Sequence, residues 1–219
     1  MGVYGIFGAG GSGREILPLV QQQLGSVPES ETTPEVIYIV DDEYKTASHA
    51  DSGEKILCLS EFANLRGVEK NFTIAVGDPR TRRSAAERLM ALGANPFTTR
   101  APTHVSIGNN VVGVGAVFAN YTQITCNVSI GKFFYCNYYS SVSHDCQIGD
   151  YVTFGPGVRC TGRVIIEDEV YVGAGAIIRD GSQREIRIGS NSIIGMGSVI
   201  TKSVPPNATV VGNPARRLS

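Results

Sequence analysis

The 219-residue sequence lacks most of the features that tie a chain to a particular partner or compartment. No stretch approaches the roughly 18–20 consecutive apolar residues needed to cross a bilayer, which excludes a membrane-spanning helix. An excess of charge of either sign is also missing: 19 Lys and Arg against 20 Asp and Glu leave a formal net charge of −1, so neither nucleic acid nor an anionic membrane surface is indicated. The five cysteines are odd in number and form no CxxC pair, which speaks against a disulfide framework or a redox motif. Met1 leads directly into the apolar run VYGIFGAGG without a basic stretch or a small-residue cleavage site. The expectation is a cytoplasmic protein in which Val3–Phe7 is a buried strand, and triplets such as Asn127-Val128-Ser129 are chance matches to a glycosylation site. The remaining composition, 42% hydrophobic and 18% charged, suits one large globular domain or two small ones.

A repeat decides the second half. Every sixth residue from Val112 is apolar: Val112, Phe118, Ile124, Ile130, Cys136, Val142, Ile148, Phe154, Cys160, Ile166, Val172 and Ile178. The next residue is often small, as at Gly113, Ala119, Gly131, Ser143, Gly149, Gly155 and Gly173. Four residues after each anchor comes a second small or apolar set that includes Ala116, Val128, Cys146, Val158 and Val170. The register shifts by four residues across Arg179–Arg187 and resumes at Ile188, Ile194 and Ile200. A period of six fits neither a helix nor a long alternating strand. It suits short flat strands joined by tight turns, three to a triangular coil of eighteen residues, with about five coils between Val112 and Pro205. Such coils bury their interior only by stacking on one another. A β-sandwich would space its turns by about 8–12 residues and less strictly. Cys136, Cys146 and Cys160 fall on apolar positions of the repeat and read as small core hydrophobes.

The pattern at Ile130-Gly131 and Ile148-Gly149, with the tail Val211-Gly212-Asn213-Pro214-Ala215-Arg216, resembles the hexapeptide-repeat acyltransferases. That resemblance implies a helix wound left-handed, against the usual right-handed crossover rule. It also implies a homotrimer and acetyl-CoA bound in the cleft between adjacent helices.

The first hundred residues follow another rule. Val3–Phe7 reads as a strand, Gly8-Ala9-Gly10-Gly11-Ser12-Gly13 as a turn, and Arg14 onward as a helix. This is the context that a glycine-rich phosphate loop requires: glycines admit close backbone approach, and a helix N-terminus offers free N–H donors. A second strand, Val36–Val40, ends in Asp41-Asp42, where a carboxylate can accept from a ribose or a base edge. A third, Phe72–Val76, runs into Gly77-Asp78-Pro79, with Asp78 suited to cap and Pro79 to open a helix through Leu92. The expectation is a small Rossmann-like βαβαβ α/β domain of three or four strands over residues 1–100, followed by an all-β parallel β-helix over 101–219. A nucleoside diphosphate is the favoured ligand. NAD asks for an acidic residue nearer the glycines than Asp41, and a purely structural glycine turn is the other alternative.

Three histidines are available for chemistry. His49 lies in a polar loop and reads as solvated, and His104 stands at the start of the β-helix. His144, in Ser143-His144-Asp145-Cys146, sits two residues after the anchor Val142, at or near a corner and pointing outwards. Acyl transfer needs a base for the attacking amine or hydroxyl, and imidazole titrates in the right range. Asp145 is the carboxylate that would orient it.

With the glycine loop, the repeat and the sequence VSHDCQIG, nearly the whole chain is similar to the NeuD/PglD/VioB group of bacterial nucleotide-sugar and sialic-acid acetyltransferases. The resemblance implies His144 as general base, Asp145 as its acidic partner, and Gly162, eighteen residues on, as donor of an N–H to the thioester oxygen. It also implies Gly162, Ala174, Gly195, Met196 and Lys202 along the CoA cleft. Gly10, Gly11, Ser12, Gly13, Arg14, Asp41, Asp42, Gly77 and Asp78 would lie around the nucleotide sugar. Two positions depart from several relatives, which carry histidine where this chain has Ser12 and Thr153.

The function expected is acetyl-CoA-dependent N-acetylation of a nucleotide-linked amino-deoxysugar for bacterial surface glycan biosynthesis, without a metal. O-acetylation of a sialic acid or related sugar is the alternative among enzymes, and a non-catalytic nucleotide-sugar scaffold the alternative outside them. A metal hydrolase on a similar β-helix would need three clustered histidines, and this half has only His104 and His144.

Overall fold

The structure is a computed structural model that describes residues 2–25, 34–44 and 53–218; His49 and its loop lie outside the described residues. The N-terminal part is a parallel five-stranded sheet. Its elements are β1 (Gly2–Phe7), α1 (Gly11–Gly25), β2 (Glu35–Val40), β3 (Ile56–Cys58), α2 (Leu59–Ala63), β4 (Glu69–Ile74), α3 (Pro79–Ala91) and β5 (Asn95–Pro96). The strand order is β3-β2-β1-β4-β5. The expected three or four strands become five because β3 and β5 are only three and two residues long, too short to leave a periodic signal. The order reverses between β1 and β4, so their carboxyl ends flank the crevice where open α/β sheets bind ligands. The glycine turn leaves β1 and Gly77-Asp78 leaves β4, which places both at that crevice.

From β6 (Thr99–Arg100) onward the chain is a left-handed parallel β-helix. Its short strands stack into sheets of six, five and eight strands. Strands eighteen residues apart lie in register, as in Ser141↔Arg159 and Val142↔Cys160. Eleven of the twelve anchors are buried, and Val112, in the first coil, packs half-buried against the same core. Each fully buried Val or Ile stabilises the fold by about 1.5–3 kcal/mol. The small residues after the anchors have a steric reason: a Cβ on Gly131 would stand 2.7 Å from the Gly149 carbonyl carbon and 2.8 Å from the Asp150 nitrogen.

The corners turn through the left-handed region. Asn109, Asn127, Asp145 and Arg163 take φ of 54–60° at one corner, Tyr121 and Tyr139 at a second, and Phe133, Tyr151, Glu169 and Asn191 at the third. That conformation disfavours bulky side chains. The rings offset part of the cost by stacking coil on coil: Tyr121 on Tyr139 at 5.1 Å and Phe133 on Tyr151 at 5.3 Å, both pairs within 6° of parallel.

The N-terminal domain rests on one side of this prism. Phe133 and Tyr151 join the core beneath α3, while Val117 and Tyr135 join the core beneath α1. Arg82, fully buried in α3, pins the two parts together. Its Nε donates to the Phe133 carbonyl at 2.9 Å and its terminal nitrogens to the carbonyls of Val76, Gly77, Tyr151 and Val152. Burial brings the Arg82 pKa down to about 10, so it remains a cation at neutral pH. His104 packs where the β-helix begins, its ring stacked on Phe118 at 4.3 Å and its Nδ1 2.9 Å from Thr122 Oγ1. Burial first, then the nearby Arg100 charge, lower its pKa to about 4.

Replacing Arg82 with Met keeps the stem and removes five hydrogen bonds; the Gly77 and Val152 carbonyls keep Thr153 and Tyr135 as donors, and those of Val76, Phe133 and Tyr151 lose the guanidinium. It is expected to cost about 3 kcal/mol or more in denaturant unfolding, and a loss below about 1 kcal/mol would show that the pin is dispensable. His104 supplies a pH signature. The unfolded chain takes up its imidazole proton near the ordinary 6.5 and the folded chain only near 4, so stability is full above the first value and lost as pH falls through the second. His104→Gln should therefore lose less Tm than the parent between pH 7 and pH 4, by a margin on the order of 5 °C.

Candidate active site

The hydrogen-bond ladder defines which residues share a corner. Asp145 N–H donates to the Cys126 carbonyl at 3.1 Å, Arg163 N–H to the His144 carbonyl at 2.9 Å, and Gly181 N–H to the Gly162 carbonyl at 2.9 Å. Cys126, His144, Gly162 and Asp180 are thus stacked on one edge of the prism. His144 Nδ1 lies 2.8 Å from Asp145 Oδ2, and the other carboxylate oxygen accepts from Asn127 Nδ2 at 3.2 Å. Arg163 approaches Asp145 at 4.0 Å and Asp180 at 3.6 Å. The hydrogen bonds from His144 and Asn127 hold the Asp145 carboxyl below the usual carboxylate range. An ionised Asp145 can only accept, so Nδ1 carries the proton and Nε2 presents its lone pair outwards.

Nε2 faces Gly162. A Cβ there would lie 2.7 Å from His144 Nε2 and 2.8 Å from Asp180 Oδ2, so it would push these side chains out of place. Among the described residues, the Gly162 N–H has no acceptor. The sequence expectation named His144, Asp145 and Gly162, which the fold brings together. It missed Asn127, Arg163 and Asp180. Adding or subtracting one coil from Asp145 and Gly162 would have found all three.

The residues expected around the CoA cleft divide between two corners. Ala174 and Met196 belong to the corner that also carries Tyr138, as shown by the donations Gly157→Tyr138, Gly175→Pro156 and Gly197→Ala174, each 2.8 Å. Met196 is 80% exposed, and Gly195 precedes it on the same turn. Lys202 follows the strand Val199–Ile200 and lines a cavity of about 280 Å³ with Arg216 and Arg217. One sheet, that of Ser141, Arg159 and Ile177, spans the face between these two corners.

Around the crevice of the N-terminal sheet, the glycines differ in purpose. Gly8 has φ +106°, and Gly13 admits no Cβ because the Gly8 carbonyl oxygen would be 2.0 Å away. Gly10 and Gly11 have nothing within 4 Å of a Cβ, so packing does not demand them, and the backbone there is open to a ligand. Ser12 lies beside the phenol of Tyr135, on the side toward the β-helix. Arg14 is exposed on the first turn of α1. Asp41 is ion-paired with Arg88, whose guanidinium lies over the Phe7 ring, and Asp42 accepts from the Ser60 hydroxyl. Asp78 Oδ1 caps α3, accepting from the Thr81 N–H and hydroxyl at 2.7 Å each. Gly77 and Asp78 open onto a cavity of about 540 Å³ whose other wall is Glu169, Tyr171, Asn191 and Ile193 of the β-helix. Thr153 is buried in the same interface, its hydroxyl donating to the Gly77 carbonyl at 2.6 Å. It therefore faces the N-terminal domain and lies on the side of the prism away from its own His144. Among the described residues no group of three or more His, Cys, Asp or Glu is arranged to hold a metal ion, and no helix is long and apolar enough to cross a membrane.

Residues 5–89 match the family described as the PglD N-terminal domain. Over 219 residues the chain is 42% identical to the GDP-perosamine N-acetyltransferase of Escherichia coli O157:H7, covering 100% of this chain and 97% of that one. The structure is similar to that of WeeI from Acinetobacter baumannii AYE, with a TM-score of 0.91, 38% identity and 100% coverage of both chains. It is also similar to the acetyltransferase domain of PglB from Neisseria gonorrhoeae FA1090 in complex with acetyl coenzyme A, with a TM-score of 0.84 and 27% identity over 99% of this chain and 98% of that one.

Proposed function

The chain is an acetyltransferase that belongs to the hexapeptide-repeat sugar acetyltransferases of the NeuD/PglD/VioB group, and from that premise we propose that it N-acetylates a nucleotide-linked amino-deoxysugar from acetyl-CoA. The observation that carries the reading is the meeting of His144, Asp145 and Gly162 at one corner. Acetyl-CoA supplies an activated acyl carbon. His144 Nε2 takes the proton that the acceptor nitrogen sheds as it attacks, and Asp145 balances the imidazolium that forms. The unclaimed N–H of Gly162 meets the oxygen on which charge develops. Glycine suits this position because any Cβ would fill the space in front of the imidazole. Loss of the thiolate with the proton from His144 completes the transfer and restores the base.

In this reading residues 1–100 hold the nucleotide and residues 101–219 carry the transfer. Phosphates lie against the open Gly10-Gly11 backbone and the first turn of α1, where unpaired N–H groups collect. A GDP-linked amino sugar of the perosamine type, the substrate class in the name of the E. coli relative, is the first acceptor to test. The acetylated product would serve the building of a surface glycan.

The same geometry supports sites shared between copies, and the family resemblance makes the assembly a homotrimer. The N-terminal domain rests on the side of the prism opposite the His144 corner, as the contacts of Arg82, Thr153 and Tyr135 describe. A sugar held by one copy's glycine turn is therefore presented to the His144 of another copy, and closed rotational symmetry gives every copy the same arrangement.

His144→Ala should fold with an unchanged Tm and lose about a hundredfold or more in kcat with GDP-perosamine; turnover near the parent rate would remove His144 from the mechanism. Sharing of sites is tested by complementation. His144→Ala and Gly11→Trp chains are each expected to be inactive alone, and mixed oligomers to recover up to about a quarter of parental activity by random assortment. No recovery in verified mixed oligomers would put each site within one chain.

A further inference from the structure

The repeat lengthens once, and the added residues fall at the reaction corner. Ile148 pairs with Ile166 eighteen residues on, whereas Ile166 pairs with Ile188, twenty-two residues on. The four extra residues form the loop after Ile178 that carries Asp180. Its Oδ1 accepts the Ser182 N–H at 2.7 Å, and its Oδ2 faces Arg163. Oδ2 and His144 Nε2 both lie under 3 Å from the one point that a Cβ on Gly162 would occupy, at 2.8 Å and 2.7 Å. The two atoms are therefore no farther apart than those distances laid end to end, which is the span of two hydrogen bonds meeting at a single atom. Hydrogen bonds from Ser182, with Arg163 and His144 nearby, hold the Asp180 carboxyl below its usual range, so it stands ready only to accept.

We infer that Asp180 receives the acceptor's amino group beside His144 and makes the site select an amine over a hydroxyl. This rests on the reading of His144 as the base. A neutral amine has two N–H donors and one lone pair. One N–H can point at Nε2 and the other at Asp180 Oδ2, which leaves the lone pair to attack the acyl carbon. A hydroxyl has one hydrogen. Once it is given to Nε2, the carboxylate meets an oxygen lone pair with nothing to accept. Asp180 is thus a positioning residue on the acceptor side, and Arg163 tempers its charge beside the oxygen that becomes negative during transfer.

The test uses the full chain with CoA bound and two non-reacting pairs of ligand: GDP-perosamine and its counterpart with a hydroxyl in place of the amine. Calorimetry should show the parent protein binding the amine about 10–100-fold more tightly, as expected for a charge-assisted hydrogen bond set against an unpaired carboxylate. In Asp180→Asn and in Asp180→Ala the preference should shrink to about threefold or less, with the acetyl-CoA KM unchanged and Tm values as in the parent. Either variant retaining the parental preference overturns the inference while the base assignment stands. A parent protein that acetylates no nucleotide-linked amino sugar overturns the function reading and this inference with it.

Discussion

A backbone N–H in one coil of the β-helix reaches a carbonyl seventeen residues further along, as in Gln123→Ser140, Ser143→Cys160 and Thr161→Ile178, and the remaining features of this half follow from that ladder. It spaces the coils at the strand separation of a sheet, roughly 4.8 Å, and stacks residues eighteen apart directly over one another. Interior positions then form continuous apolar columns, and corners form columns of left-handed residues. A side chain at a corner is therefore held by its neighbours one coil above and below. That is how His144, a half-exposed residue, comes to sit between Asn127–Asp145 on one side and Gly162–Asp180 on the other.

The second organising contact is the Arg82 guanidinium in the interface between the two parts. A buried cation without a carboxylate partner is tolerated because five backbone carbonyls surround it, two from the N-terminal sheet and its loop and three from the β-helix. Those carbonyls come from residues whose positions the coil ladder already fixes, so the pin holds the α/β domain to one chosen side of the prism. The crevice of the parallel sheet consequently opens against Tyr135, Tyr138 and the wall formed by Tyr171 and Ile193, while the imidazole occupies the opposite edge. In the proposed reading, the division of labour between a holding domain and a reacting domain follows from which side of the triangle carries the contacts.

Much of the site was legible along the chain, and the limits have particular causes. His144 and Asp145 stand adjacent in sequence, and Gly162 follows by one coil, so arithmetic on the repeat reaches them. Asn127 and Arg163 obey the same arithmetic, yet neither residue type announces a role. Asp180 obeys it too, one coil after Gly162, but it opens the loop where the register lengthens, so the repeat does not say which way its side chain turns. In the N-terminal domain, the carboxylates of Asp41 and Asp78 read equally well as ligand contacts or as local structure. The fold engages the first with Arg88 and the second with the N-terminus of α3. Thr153 shows the same ambiguity: a position where several relatives carry histidine is occupied here in holding Gly77.

The sequence by itself determined the β-helix, because a strict spacing of apolar residues is compatible with few ways of burying them, and a period of six excludes helix and simple strand alike. It also determined the strand–glycine–helix start, since Gly8 and Gly13 answer local demands of φ and close packing. Tertiary structure alone decided which side of the prism receives the N-terminal domain, and that a second carboxylate, Asp180, turns back to the corner of His144 and Asp145. Both depend on contacts that no local pattern encodes, such as that of Arg82 with Phe133 or of Arg163 with Asp180.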